Sequence, residues 1–281
     1  MTVCTTKEAL KIALASHTPS PSVGFVPTMG ALHQGHLSLV SKALSDNDIA
    51  VVSVFVNPTQ FDNASDLEKY PRNLEEDIAL LETLNGTIIV FSPDASHLYG
   101  HQIQSKSYRF GGLEYEMEGR HRKGHFDGVG TVLNLLFRAV APTRAYFGEK
   151  DFQQLQIVRK LVSIEKLPLT VVGCPIIREK NGLAMSSRNK RLTSKQRDIA
   201  SFIHKNLEEV AAQFKHKSIP QITQYVKTQF ENEPLLRLEY FEIANEATLK
   251  TAQRKRKQNT YRAFMAVFAG PVRLIDNKRL N

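Results

Sequence analysis

The chain has 281 residues, 42% of them hydrophobic, enough to bury a core in one large domain or two moderate ones and too apolar for a disordered chain. Only Cys4 and Cys174 are present, far apart in sequence, so a disulfide framework is not expected and two inert thiols in a reducing, cytoplasmic setting are. Lysine and arginine number 37 against 28 aspartate and glutamate, a formal charge of +9, which favours an anionic partner: nucleic acid, a membrane surface or a phosphorylated small molecule.

At the N-terminus, Lys7, Glu8 and Lys11 interrupt the chain before an apolar signal region can form, and no later apolar run is long enough to cross a bilayer; no membrane partner is expected. Residues 23–26 read as an apolar strand that leads into Pro27-Thr28-Met29-Gly30. After Gly35, the spacing of Leu37, Val40 and Leu44 predicts a helix, and residues 49–56 a second strand. Strand, helix, strand with short connections is a βαβ unit, which demands a parallel sheet. Asn73, with Glu76 three residues on, marks the start of another helix, followed by a strand at 87–91.

The alternation continues with a buried helix at 127–140, a strand at 144–148, an amphipathic helix at 151–165 and a strand at 169–177. The expected fold is α/β: a Rossmann-like, doubly wound parallel sheet over residues 1–174, with a smaller α+β lid domain over 175–281. In the latter, Thr193 and Gln196 cap a long helix, a second helix runs near 221–230, and 237–245 with 261–270 read as antiparallel strands.

Chemistry concentrates at strand ends. In an open parallel sheet, ligands collect outside the carboxyl ends of the strands, where His33-Gln34-Gly35-His36 sits; the next helix offers free N–H groups and the positive end of its dipole to a phosphate. Two histidines at a helix entry are weak evidence in isolation. A second cluster, "FGEKDFQQL" (147–155), places Lys150 and Gly148 after another strand; Lys150 could serve a phosphate or merely pair with Asp151. A third, "LAMSSRN" (183–189), gathers Ser186, Ser187 and Arg188, which suit phosphate oxygens, although Ser187 could simply cap a turn. The basic runs at 119–125 and 252–258 lack any recognised nucleic-acid module, and the second reads as a solvated face.

HQGH and MSSR resemble the paired signatures of the nucleotidyltransferase superfamily that includes class I aminoacyl-tRNA synthetases. Taken in order, "PTMGALHQGH", "VSVFVNPTQF", "YPR", "RKGHFDGV", "FGEKDFQQL", "GLAMSSRN" and "RLIDN" closely resemble the pantothenate synthetase (pantoate-β-alanine ligase) family across nearly the whole chain. The chain departs from the usual family pattern at Lys123, Gly100 and Thr143, where proline, proline and aspartate are more common; these changes bear on loop stiffness and surface charge.

The resemblance implies ATP-dependent joining of (R)-pantoate to β-alanine through a pantoyl adenylate, with Mg²⁺ carried by the nucleotide and a homodimer as the assembly. It implies catalytic roles for His36, His33, Lys150 and Arg188. ATP contacts are implied at Met29, Gly30, Ala31, Leu32, His33, Gln34, Gly35 and His36, at Gly148, Glu149, Lys150 and Asp151, at Ile177, and at Met185, Ser186, Ser187 and Arg188. Gln60 and Gln154 are expected to hold pantoate, Gln60 also β-alanine, with Met29 and Phe61 against pantoate's methyl groups. No protein side chain is expected to ligate the metal directly; Glu76 or Asp77 are candidate outer partners, and Arg122 and His125 candidate contributors to the site. A different nucleotidyltransferase and an RNA-binding protein on the same scaffold are the alternatives. About 100 residues after the α/β domain leave little room for the appendages of a synthetase that binds tRNA.

Overall fold

The computed structural model describes residues 1–17, 20–61, 67–68 and 70–281. Two compact units divide the chain. The first comprises Met1–Phe110, His121–Glu149 and Gln154–Pro175, and the second Gly111–Arg120, Lys150–Gln153 and Ile176–Asn281.

In the first unit, β1 (Thr2–Cys4), β2 (Val23–Thr28), β3 (Ile49–Val54), β4 (Ile88–Phe91), β5 (Arg144–Gly148) and β6 (Thr170–Cys174) form one sheet in the order β1-β4-β3-β2-β5-β6. Every pairing in it is parallel. Helices run between the strands and cover both faces, so Ala50, Val51 and Val52 of β3 are all fully buried; a strand buried on both faces reads as a continuous apolar run. From β2 the chain winds outward to β3 and β4, then returns to the other side of β2 for β5 and β6. The order reverses between β2 and β5, and that switch point is where an open sheet leaves a crevice at its carboxyl edge.

Strand ends follow the backbone chemistry. The strand expected at 49–56 ends at Val54: the Phe55 N–H gives the Thr28 carbonyl the last bond of the ladder with β2, and Pro58 then opens a 3₁₀ turn, Pro58–Gln60. The strand expected at 169–177 ends at Cys174, before Pro175, which has no N–H to give. Thr143 has a fixed role: its hydroxyl accepts the Val23 N–H at 3.1 Å and so ties the approach to β5 to the start of β2. Gly100 caps the helix Ala95–Tyr99 at φ +77°, where a proline ring could not sit.

The second unit holds β7 (Leu236–Asn245), β8 (Tyr261–Ala269) and β9 (Val272–Arg279) in an antiparallel sheet, with a register shift between Leu238 and Tyr240. The helices Ser194–Phe214 and Ile219–Glu231 pack on it through Ile203, Leu207, Val210, Ile222 and Val226. Both start with reciprocal caps, Thr193 with Gln196 and Ser218 with Gln221. The stretches Gly111–Arg120 and Lys150–Gln153 join this unit through buried polar bonds. Gln153 donates to the Leu113 and Glu116 carbonyls and accepts the Glu118 N–H, while Arg273 of β9 grips both carboxylate oxygens of Glu118 at 2.7 and 2.8 Å. The bond between Arg273 and Glu118 spans 155 residues and has no trace in local sequence pattern.

Candidate active site

The loop after β2 is held from below by a carboxylate. Gly30 and Ala31 both take left-handed backbone, at φ +79° and +51°, which turns successive N–H groups inward onto Asp77. The two Asp77 oxygens accept the N–H of Ala31 at 3.0 Å and of Leu32 at 2.6 Å, and Asp77 is only 2% exposed. A Cβ at position 30 would fall 2.9 Å from the Asp77 carboxylate, so glycine is required there by space as well as by φ. Asp77 lies in the first turn of Leu74–Leu81, after Asn73, whose side chain accepts the Glu76 N–H at 3.2 Å. Asp77, a candidate outer partner of a metal in the sequence, gives both of its oxygens to the loop backbone.

The loop delivers His33 to the N-cap of the helix Gln34–Asp46. There the His33 Nδ1 accepts the Gly35 N–H at 3.1 Å, so a neutral His33 carries its proton on Nε2, the nitrogen that can donate. The ring of His36 lies 4.0 Å from that of His33, tilted by 32°. The two imidazoles thus lie together at a helix N-terminus, at the carboxyl end of β2 beside the switch point, where free N–H groups and the helix dipole favour an anion.

Gln60 is fixed on three sides within the same unit. Asn57, 1% exposed, donates to the Gln60 Oε1 at 3.1 Å and to the Gly128 carbonyl at 3.2 Å, and its own Oδ1 accepts the Tyr99 hydroxyl at 2.5 Å. With Oε1 so engaged, the Gln60 amide nitrogen points to the Met29 sulfur, 2.9 Å away. Arg122 can only donate, so its contact with the His125 Nε2 at 3.1 Å leaves the His125 proton on Nδ1, which donates to the Gln60 carbonyl at 2.9 Å. Arg122 and His125 thus hold the loop that carries Gln60. Gly128 lets that loop lie against the helix His125–Val140: a Cβ there would come within 2.7 Å of the Gln60 Cα. Phe61 meets Tyr70 edge to face, with ring centres 5.7 Å apart. Gln154, Gly148 and Glu149 also belong to this unit and are partly buried.

Lys150, Asp151, Ile177, Met185, Ser186, Ser187 and Arg188 belong to the second unit. The Lys150 ammonium lies 3.4 Å from Asp151, a loose pair with the lysine side chain 20% exposed. The MSSR segment leaves a narrow hairpin: Arg178 and Ala184 form a backbone bridge, and the Met185 N–H bonds to the Ile177 carbonyl at 3.0 Å. Ser186 caps the 3₁₀ turn Ser187–Arg191 by accepting the Arg188 N–H, and Ser187 is 6% exposed. Asn189 fixes the turn from inside by donating to Glu179 at 2.7 Å and to the Ala184 carbonyl at 3.1 Å.

Asn57, Gln153, Asp276 and Asn277 emerge from the structure, beside the candidate Asp77, as buried polar residues that fix these segments. Asn57 alone leaves a local signal, an asparagine before proline with threonine two residues on, the pattern of an Asx turn. Among the described residues, no group of three or more His, Cys, Asp or Glu is placed to hold a metal ion, and no helix is long and apolar enough to cross a membrane.

Residues 2–279 match the family model described as pantoate-beta-alanine ligase. The chain is 55% identical over 256 residues to the pantothenate synthetase of Flavobacterium psychrophilum, with 91% of each chain covered, and 56% identical over 260 residues to that of Christiangramia forsetii, with 92% of each covered. Among solved structures, pantothenate synthetase from Thermus thermophilus superposes with a TM-score of 0.92 at 38% identity, over 100% of this chain and 99% of that one. The pantoate-beta-alanine ligase of Francisella tularensis, complexed with beta-gamma ATP and beta-alanine, superposes with a TM-score of 0.82 at 34% identity, over 100% and 98%. The two anchored loops of the first unit and the MSSR turn of the second are thus set in a fold shared along its whole length with ATP-dependent ligases, and the chain belongs to the pantoate-β-alanine ligase family.

Proposed function

We propose that the protein condenses (R)-pantoate with β-alanine in two steps on one site, with ATP as the energy source, and that the observation carrying this reading is the His33 cap: an imidazole held at a helix N-terminus with its proton on Nε2, beside His36. Pantoate is already a carboxylate at neutral pH, so its attack on the α-phosphorus needs no base; repulsion between anions is the obstacle. A bond forms between the pantoate oxygen and the α-phosphorus as the bond to the β-phosphate oxygen breaks, and pyrophosphate leaves. His33, His36 and the helix N-terminus donate to phosphate oxygens as charge gathers on them, and Lys150 and Arg188 add positive charge. The neutral amine of β-alanine then attacks the acyl carbon, the bond to AMP breaks, and one proton is released.

Gln60 and Gln154 are assigned to pantoate, since a neutral amide can donate to a carboxylate and accept from a hydroxyl without adding charge. The orientation of the Gln60 amide, oxygen toward Asn57 and nitrogen toward Met29, supports a donor role for it. β-Alanine is assigned next to Gln60. Mg²⁺ is expected to arrive with ATP, held by phosphate oxygens and water, where it neutralises charge; the commitment of Asp77 to the loop fits a site without a protein carboxylate for the ion. A cytoplasmic homodimer is the working assembly, to be checked by sedimentation of the purified protein.

Rapid-quench analysis with ATP labelled in the α-phosphate tests the route. With pantoate and Mg²⁺ but no β-alanine, one equivalent of label per site should pass into pantoyl adenylate with release of pyrophosphate, and added β-alanine should then liberate AMP. Label in ADP would mean attack at the γ-phosphorus and would sink the adenylate route. Absence of pantoate-dependent ATP turnover in folded protein would sink the ligase reading.

A further inference from the structure

The last strand, β9, ends in a pair of buried polar residues that the proposed chemistry does not use directly: Asp276, 4% exposed, and Asn277, 2% exposed. Neighbours on a strand point to opposite faces, so the pair reaches in two directions. On one side, Asp276 takes both guanidinium nitrogens of Arg178 at 2.6 and 3.0 Å. Arg178 also donates to the Gly182 carbonyl at 3.1 Å and bridges Ala184, so this bond holds the hairpin from which Met185-Ser186-Ser187-Arg188 leaves. On the other side, the Asn277 amide donates to the backbone carbonyl of Lys150 at 2.9 Å, while its oxygen accepts from Arg262 at 2.6 Å. Arg262 is fixed in turn by Glu246 at 2.8 Å and lies over the Phe152 ring, 3.9 Å from its centre.

We infer that Asn277 is a positioning residue for Lys150: it sets the backbone from which the lysine ammonium reaches the nucleotide phosphates, and its neighbour Asp276 does the same for the MSSR turn, so that one strand fixes both cationic segments of the second unit. The inference rests on the ligase reading above for the role of Lys150. The geometry explains why the segment is an amide next to an acid. Asn277 donates to a carbonyl and accepts from an arginine at once, which a side-chain amide does without carrying a charge. Lys150 sits in a four-residue stretch, Lys150–Gln153, that joins the second unit away from its flanking residues, and Asn277 is the β9 side chain that grips its first residue.

Asn277→Asp isolates the bond. It keeps the oxygen that Arg262 binds and replaces the donor toward Lys150 with a second oxygen, which repels the carbonyl. A displacement of about 1 Å at a phosphate-binding charge costs on the order of 100-fold, so single-turnover formation of pantoyl adenylate should fall by about that factor in Asn277→Asp. Because Asn277 acts through Lys150, the same change made in a Lys150→Ala background should cost little more than Lys150→Ala alone, a coupling that a merely structural role would not produce. Parental rate in folded Asn277→Asp, or the same fold-loss in both backgrounds, overturns the inference. If Asn277→Asp does not fold, Asn277→Ala, which removes the donor toward Lys150, takes its place with the same two criteria. A second readout is independent of catalysis: labelling of lysine amines by an acylating probe, followed by mass spectrometry, should change at Lys150 in the variant, with unchanged labelling counting against the inference. Failure of the parent itself to form the adenylate would instead strike the ligase reading, and the labelling result would still decide the link between Asn277 and Lys150.

Discussion

The Asp77 carboxylate accepts the Leu32 N–H at 2.6 Å across 45 residues of sequence, and with the bond to Ala31 it shapes the loop that presents His33 and His36. Truncation in Asp77→Ala leaves two buried N–H groups unsatisfied, each costing about 1 to 3 kcal/mol. The melting temperature should fall in metal-free buffer as much as in Mg²⁺, and ATP affinity should fall with it. Thermal melts with and without Mg²⁺, together with calorimetric titration of ATP, check this. A loss of stability confined to Mg²⁺-containing buffer would return Asp77 to a metal role.

The Gln60 loop depends on contact with the helix His125–Val140, so Gly128→Ala should act at a distance on the substrate. The new methyl group would press on the Thr59–Gln60 backbone, displace the Gln60 amide and reduce pantoate use by roughly 100-fold, with ATP binding little changed. Separate calorimetric titrations of pantoate and ATP distinguish the two effects. Equal loss of both would place Gln60 outside the pantoate site.

What the sequence disclosed follows from the range of the interactions. Strands β2 to β5 are apolar runs set by burial on both faces, and the caps Thr193-Gln196 and Asn73-Glu76 act over three residues, so both are legible locally. The motifs single out His33, Gln60, Lys150 and Arg188 as candidates, but not what holds them. β9 hides its strand character because Asp276 and Asn277 are buried against Arg178 and Arg262, partners 98 and 15 residues away, and polar residues in a strand register as a break until those partners are known. β1 is three residues long and has too little pattern to register at all. The motif histidine His125 reads as a candidate contributor to the site, and its bond to the Gln60 carbonyl, 65 residues away, is a contact the motif does not disclose.

His204 makes the second unit sensitive to acid. It lies on the helix Ser194–Phe214 with its Nδ1 buried and unbonded and its Nε2 3.5 Å from Glu208. Burial, reinforced by the Arg178 charge and opposed by Asp276 and Glu208, holds its pKa below the usual 6.5. The unfolded chain therefore binds a proton that the folded chain refuses. The contribution of His204 is fully present above pH 6.5 and is lost as the pH falls through that value toward the lower folded pKa. Replacing the imidazole in His204→Gln should flatten the drop in melting temperature between about pH 7 and about pH 5, the range of histidine titration. Melts of both proteins across that range test this, and parallel curves would assign the acid sensitivity to other groups.

His33 does two jobs with its two ring nitrogens, and two substitutions separate them. The Nδ1 caps the helix Gln34–Asp46 by accepting the Gly35 N–H, and the Nε2–H is the donor assigned to phosphate. In His33→Asn the side-chain oxygen sits where Nδ1 sat, and asparagine is among the best N-cap residues, so the melting temperature should stay at or above that of the parent. The phosphate donor is gone, and single-turnover adenylation should fall by about 100- to 1,000-fold, the usual cost of one aligned donor to a developing charge. His33→Ala removes both, so it should lose the same rate and in addition about 1 kcal/mol of stability from the missing cap. The comparison is decisive because stability and rate move apart in one variant and together in the other. An Asn variant that adenylates pantoate at the parental rate would reduce His33 to a helix cap and withdraw it from the proposed phosphate contacts.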